Sequence, residues 1–123
     1  MSGSVLIVED DLDIAENLCA LLTLEGYKAE ISKDGRDALD RLLANGHRPD
    51  VILLDLMMPV MDGFQFREAQ QADPKLANIP VLVMTAGGNN VETKVSGLGV
   101  HGYFRKPIDV EKLFEMIEKI VEN

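Results

Sequence analysis

Cysteine is almost missing from this chain. Cys19 is the only one, so no intrachain disulfide is available, and a lone thiol points to a reducing compartment, with the cytoplasm as the expected location. Its helical spacing between Ala15 and Leu22 reads as a buried structural thiol rather than a redox centre. Long apolar runs are missing too. The first, Val5-Leu6-Ile7-Val8, stops after four residues at Glu9, so neither a signal peptide nor a membrane span is expected. Basic residues are scarce: 12 Lys and Arg face 21 Asp and Glu, a net charge of −9. Phosphate backbones and anionic lipid surfaces repel such a chain, so no direct nucleic-acid partner and no membrane partner are expected. The two histidines, His47 and His101, lie in separate loops without companion ligands, which argues against a histidine metal site. With 123 residues, 46% of them hydrophobic, the chain is long enough for one globular core and too short for two. A single domain over residues 1–123 is expected.

What is present is punctuated and regular. Val5-Leu6-Ile7-Val8, Val51-Ile52-Leu53-Leu54 and Val81-Leu82-Val83-Met84 read as strands buried on both faces. Lys28-Ala29-Glu30-Ile31 alternates, and Tyr103-Phe104 is very short, as suits edge strands. Between them run single apolar stripes at helical period: Ile14, Leu18, Leu21 and Leu22; Ala38, Leu39, Leu42 and Leu43; Val91, Val95 and Leu98; and Val110, Leu113, Ile117, Ile120 and Val121. Residues 63–72 fit no single period and are assigned as a helix by alternation. Asp11, Asp34, Asp62, Asn90 and Asp109 stand where N-caps belong, and Gly26, Gly46 and Gly99 where helices stop. Strict strand–helix alternation predicts an α/β, doubly wound five-stranded parallel sheet with five helices. Central first, third and fourth strands give the order 2-1-3-4-5, with a ligand site at the switch point beyond the carboxyl ends of the strands.

Those ends carry Glu9, Asp10 and Asp11, then Asp55, Thr85 and Lys106. Asp11 is expected to act only as a cap. Taken singly, Thr85 or Lys106 is an ordinary loop residue, but the topology converges the whole set on one edge. Carboxylates from both sides of the switch point repel by about 4 kcal/mol per pair at ~4 Å and an effective dielectric of ~20. A hard divalent cation is the natural compensator, and few carboxylates with retained waters suit Mg²⁺ better than Ca²⁺. With a metal bound, Asp55 becomes a nucleophile toward a phosphoryl group, and Thr85 and Lys106 supply a hydrogen bond and a charge to its oxygens.

Glu9-Asp10, Pro49-Asp50, Asp55-Leu56-Met57-Met58-Pro59 with Asp62-Gly63, Thr85-Ala86, Gly99, Tyr103 and Lys106-Pro107 together resemble the receiver domain of two-component response regulators, from Val5 to about Val121. The resemblance implies the flavodoxin-like version of the sheet order above, the one known from the chemotaxis receiver. It implies that Asp55 accepts phosphate from a histidine kinase, a histidine phosphotransfer protein or a small acyl phosphate. It also implies Mg²⁺ ligation by Asp10, Asp55 and the Met57 backbone carbonyl, with Glu9 acting directly or through water. Thr85 and then Tyr103 would report phosphorylation to a surface formed by the fourth helix, fifth strand and fifth helix, where an unknown downstream protein binds. Met57 and Gly87 would tune dephosphorylation, and Lys106-Pro107 would be cis. Beyond its own phosphorylation and dephosphorylation, no enzymatic activity is implied. Either a stand-alone regulator or an excised receiver fits, since no DNA-binding or catalytic segment follows Asn123.

Other readings fit less well. A haloacid-dehalogenase type of phosphatase needs a nucleophile motif that Asp11-Leu12-Asp13-Ile14-Ala15 matches poorly, and the chain is short for it. Flavin binding needs a Ser/Thr/Gly phosphate loop after the first strand, where acids stand instead. A receiver-like scaffold that signals without phosphorylation conflicts with the complete acid, threonine and lysine set. The remaining features are Met57, Met58 and Met61, expected to line the rim of the site, and Gly87-Gly88-Asn89-Asn90, read as a turn or a mobile switch loop.

Overall fold

The computed structural model describes residues 3–45, 48–87 and 90–122. Five strands, β1 (Ser4–Val8), β2 (Lys28–Ser32), β3 (Val51–Asp55), β4 (Val81–Thr85) and β5 (Gly102–Arg105), alternate with α1 (Leu12–Leu24), α2 (Gly35–Asn45), α3 (Gly63–Ala72), α4 (Val91–Ser96) and α5 (Val110–Glu122). The strands form one sheet in the order β2-β1-β3-β4-β5, all pairs parallel. Every residue of β3 and β4 is buried, whereas β2 and β5 alternate between covered and exposed positions as edge strands should.

Side-chain alternation along the strands divides the core into two layers. Val5 and Ile7 of β1 pack with Leu18 and Leu22 of α1 and Leu113 and Ile117 of α5. Leu6 and Val8 pack on the other face with Leu39 of α2, Phe66 of α3 and Val95 of α4. Each layer is closed by the helices on its side, which leaves the carboxyl ends of the strands along one edge of the sheet. Among the described residues no helix is long and apolar enough to cross a membrane. Gly3 lies against α5, where a Cβ would meet Val121 Cγ1 at 3.0 Å, so the start of β1 and the end of α5 touch.

Four of the five expected caps hold. Asp11 Oδ1 accepts from Asp13 and Ile14 N–H, Asp34 from Asp37, Asp62 from Gln65, and Asp109 from Glu111 and Lys112. Asn90 does not: it sits at φ 60° in the left-handed region and makes no side-chain cap bond. Gly26 leaves α1 at φ 94° as expected, but Gly99 does not end α4, which stops at Ser96 with Gly97 as its cap. Gly46, His47, Gly88 and Asn89 lie outside the described residues. In the stripes, Leu21 and Leu43 are exposed, and Ala15 takes the inward place in α1. Cys19 is half-buried rather than buried, its Sγ 3.7 Å from the Ala29 carbonyl.

Candidate functional site

Asp55 and Thr85 are the last residues of β3 and β4 rather than the first loop residues. Asp55 stands beside Met84, and Thr85 beside Arg105. Glu9 follows β1, and its N–H still donates to Ser32 O at 3.0 Å, which keeps the acid in line with the sheet. Lys106 follows β5 and is tied by its N–H to Thr85 O at 2.8 Å; the next bond, Lys106–Pro107, is cis. Backbone pairing therefore aims all four side chains at one edge. Glu9, Asp55 and Thr85 are 1%, 3% and 2% exposed, while Asp10 faces solvent.

One carboxylate oxygen each from Glu9, Asp10 and Asp55 lie within 4.8 Å of one another. Lys106 Nζ is 2.7 Å from Glu9 Oε1 and 3.5 Å from Asp55 Oδ2. The remaining oxygens are anchored to the chain: Glu9 Oε2 accepts from Asp11 N–H at 3.1 Å and Asp55 Oδ1 from Met57 N–H at 3.3 Å. Thr85 Oγ1 accepts from Gly87 N–H at 3.1 Å. Below the cluster, the start of α3 presses on the end of β3. Gly63 N–H donates to Leu56 O at 3.0 Å, and a Cβ on Gly63 would lie 2.7 Å from both Asp55 O and Leu56 Cα. Glycine at 63 is what permits that approach, and the reciprocal Asp62–Gln65 capping box fixes the helix start.

Electrostatics follow from burial. Burial pushes the Glu9 carboxyl up, its hydrogen bond to Lys106 opposes the rise only in part, and the neighbouring Asp55 adds to it. Burial alone would lower the Lys106 ammonium, but the Glu9 hydrogen bond and the charges of Asp55 and Glu9 outweigh it and hold the group above its usual value. Lys106 is thus part of the compensation that the repulsion between these acids demands. One cation against three carboxylates still leaves the cluster negative. Three hard oxygen donors, two of them buried, fit a divalent cation such as Mg²⁺. Asp11 stands apart as a cap, as expected.

The methionines divide differently from the expectation. Met57 is 69% exposed at the rim, but Met58 is buried and Met61 packs against the α2–α3 core, meeting Gly35 at the start of α2. Nearness to Asp55 in the sequence suggests a rim position for all three, but the chain turns at Val60, φ 66°, and Met58 and Met61 pack into the layer of α2 and α3 instead. Tyr103 lies at the exposed face of β5, in a depression shared with Phe104 and Met116 of α5. Two features escaped the sequence reading. Arg105 reaches back over Gly87, its Nη1 3.3 Å from where a Cβ would be. An apolar cleft of about 530 Å³, lined by Ile14, Leu18, Leu21, Pro107 and Ile108, opens beside Lys106. The sequence carries no signal of it, because Leu21 fits the same apolar stripe as the buried Leu18 and Leu22.

Residues 5–118 match the response regulator receiver domain family. The response regulator MprA of Mycolicibacterium vanbaalenii is 35% identical over 125 aligned residues, covering 100% of this chain and 52% of that protein. The chain spans about half the length of the curated relatives it matches. Among solved structures, the signal receiver domain of a signal transduction histidine kinase from Syntrophus aciditrophicus superposes with a TM-score of 0.89 at 30% identity, covering 98% of this chain and 90% of that one. The chemotaxis protein CheY4 of Vibrio cholerae gives 0.85 at 30% identity over 98% and 99%. The strand order agrees with these likenesses, and the chain belongs to the response regulator receiver domain family of two-component signalling.

Proposed function

We propose that this domain is a phosphoacceptor switch in which Asp55 takes a phosphoryl group from a histidine kinase, a histidine phosphotransfer protein or a small acyl phosphate. The observation that carries the reading is the convergence of Asp55 with Glu9, Asp10 and Lys106 within one cluster. Asp55 is held by the Met57 N–H through Oδ1, which leaves Oδ2, paired with Lys106 Nζ at 3.5 Å, as the oxygen that attacks phosphorus. Mg²⁺, held by Asp10, Asp55 and the Met57 carbonyl with Glu9 direct or through water, would neutralise charge on the phosphoryl oxygens. Lys106 then exchanges its Asp55 contact for a phosphoryl oxygen while Glu9 keeps its ammonium oriented. Thr85 trades the Gly87 N–H for the same group, donating its hydroxyl hydrogen, and the β4–α4 loop follows it. Tyr103 reads that movement on the face of α4, β5 and α5, where a downstream protein docks. The apolar cleft between α1 and the Pro107–Ile108 turn adjoins Lys106 and supports docking of a protein phosphodonor there. The domain catalyses only its own phosphorylation and dephosphorylation.

Acetyl phosphate with Mg²⁺ should raise the intact mass by one phosphate. Asp55→Asn should abolish the gain and Asp11→Asn should keep it. An undiminished gain in Asp55→Asn, or none in the unmodified protein, refutes the assignment.

A further inference from the structure

Gly87 is two residues past Thr85 and sits at φ +97°, a left-handed conformation that side chains rarely adopt. The space a side chain there would fill is occupied from across the sheet: a Cβ would meet Arg105 Nη1 at 3.3 Å and Cζ at 3.9 Å. Arg105 stands beside Thr85 in the β4–β5 register, and Gly87 N–H bonds the Thr85 hydroxyl. The guanidinium therefore lies one residue from the group assigned to touch the phosphoryl oxygens. Its ion-pair partner is Glu92 Oε1 at 3.7 Å, with side chains 57% and 70% exposed. A pair so exposed is weak, so it gives way readily to a stronger anion. A guanidinium matches phosphate oxygens with two parallel donors. The cluster it overlooks has three carboxylates and Lys106, in a chain of net charge −9. A doubly charged donor approaches such a site against its field.

We propose that Arg105 is a specificity-determining residue for the phosphodonor: it leaves Glu92 to bind the oxygens of an incoming phosphoryl group at the Gly87 rim and offsets the negative field there, favouring donors of net charge −2 over donors of net charge −1. The inference rests on phosphorylation at Asp55. In that step an Asp55 oxygen bonds to phosphorus as the bond from phosphorus to the acetate oxygen breaks. Acetate leaves with the electron pair, and total charge is unchanged. Phosphoramidate at pH 7 is the zwitterion, its nitrogen fully protonated and its phosphoryl group dianionic; the nitrogen–phosphorus bond breaks, and ammonia leaves with the electron pair and the three hydrogens it already carries.

The test compares second-order rates of Asp55 phosphorylation at pH 7 by dianionic acetyl phosphate and monoanionic phosphoramidate, followed by intact mass, in the unmodified protein and in Arg105→Gln, Arg105→Lys and Glu92→Gln. Arg105→Gln should slow acetyl phosphate about threefold to tenfold, slow phosphoramidate less, and flatten the dependence on NaCl. Arg105→Lys should recover part of the loss. Glu92→Gln, which removes the competitor, should speed acetyl phosphate. If Arg105→Gln and Glu92→Gln shift both donors equally and in one direction, the ion pair only shapes the loop and the inference is overturned. Unchanged rates in Arg105→Gln with a normally phosphorylated unmodified protein overturn this inference alone. An unmodified protein that takes no phosphate overturns the Asp55 reading with it.

Discussion

At Lys106 one ammonium serves two carboxylates, and the consequence is a pH-dependent stability. The Glu9 carboxyl is raised by burial, so in the folded state it holds its proton to higher pH than in the unfolded chain. Stability from this group is complete below its unfolded value and is lost as pH rises through the folded one. Lys106, also raised, contributes stability below its unfolded value that disappears only as strongly alkaline pH passes its folded one. Lys106→Met should leave Glu9 and Asp55 facing each other uncompensated. The expected loss is about 2 kcal/mol at pH 8, less than for a fully enclosed pair because Lys106 retains some solvent. At pH 5 protonation of Glu9 should make the loss smaller. Urea melts at both values check this, and an equal loss at each would refute it. A second residue-scale expectation concerns Met57, whose exposed side chain cannot orient a hydrolytic water. Met57→Asn should shorten the phosphoryl lifetime, measured by phosphate release after donor removal. Gly87→Glu is the less clean probe, because φ +97° disfavours any side chain and Arg105 already fills the space.

The element that resisted the sequence reading is α3, and the structure says why. Its buried positions are Gly63, Phe66, Arg67 and Gln70, a helical i, i+3, i+4, i+7 face with one large apolar member. Arg67 donates to the carbonyls of Leu98 and Gly99 and to Gln70 Oε1, and Gln70 donates to those of Leu76 and Ile79. Hydropathy cannot reveal a face built from hydrogen-bonded polar groups, so only alternation placed the helix. The three central strands, by contrast, were legible as continuous apolar runs, and the caps at Asp11 and Asp62 as ordinary N-terminal signals. Asn90 misled because a capping residue type also tolerates left-handed backbone. The acids, Thr85 and Lys106 were visible as strand-end residues, whereas the Arg105–Gly87 contact joins loop to strand through a missing side chain and has no sequence signature. The tight seat of α3 gives an expectation of its own. In Gly63→Ala the new methyl would lie 2.7 Å from backbone atoms of Asp55, the last residue of β3, and of Leu56 just after it, so α3 must lift, costing about 1–3 kcal/mol. Because Asp55 is on that backbone, phosphorylation should slow as well. A variant of normal stability and normal rate would contradict the close approach.

For the whole molecule, Mg²⁺ held by the acidic cluster, as proposed above, would link folding to the metal. Unfolding separates Asp10 from Asp55, so the ion would bind the folded state selectively. At ten times its dissociation constant it should add about 1.4 kcal/mol, raising Tm by roughly 3 to 8 °C. Asp10→Asn should remove most of that rise while leaving the metal-free protein slightly more stable, since one exposed repelling charge is gone. Thermal melts of both proteins in EDTA and in Mg²⁺ decide it; an unmodified melt indifferent to Mg²⁺ contradicts a shared metal site. The contact of Gly3 with Val121 carries a different consequence. The edge that carries Asp55 lies at the carboxyl ends of the strands, while the two ends of the described fold meet at the opposite, amino edge. The fold is therefore a closed loop in all but covalent connection. A circular permutant that joins those ends through a short glycine-rich linker and opens at the Glu25–Gly26 turn should still acquire phosphate at Asp55. By the same geometry, the domain can be set into a loop of a host protein as a plug-in module, both connections leaving side by side and neither crossing the edge that carries Asp55.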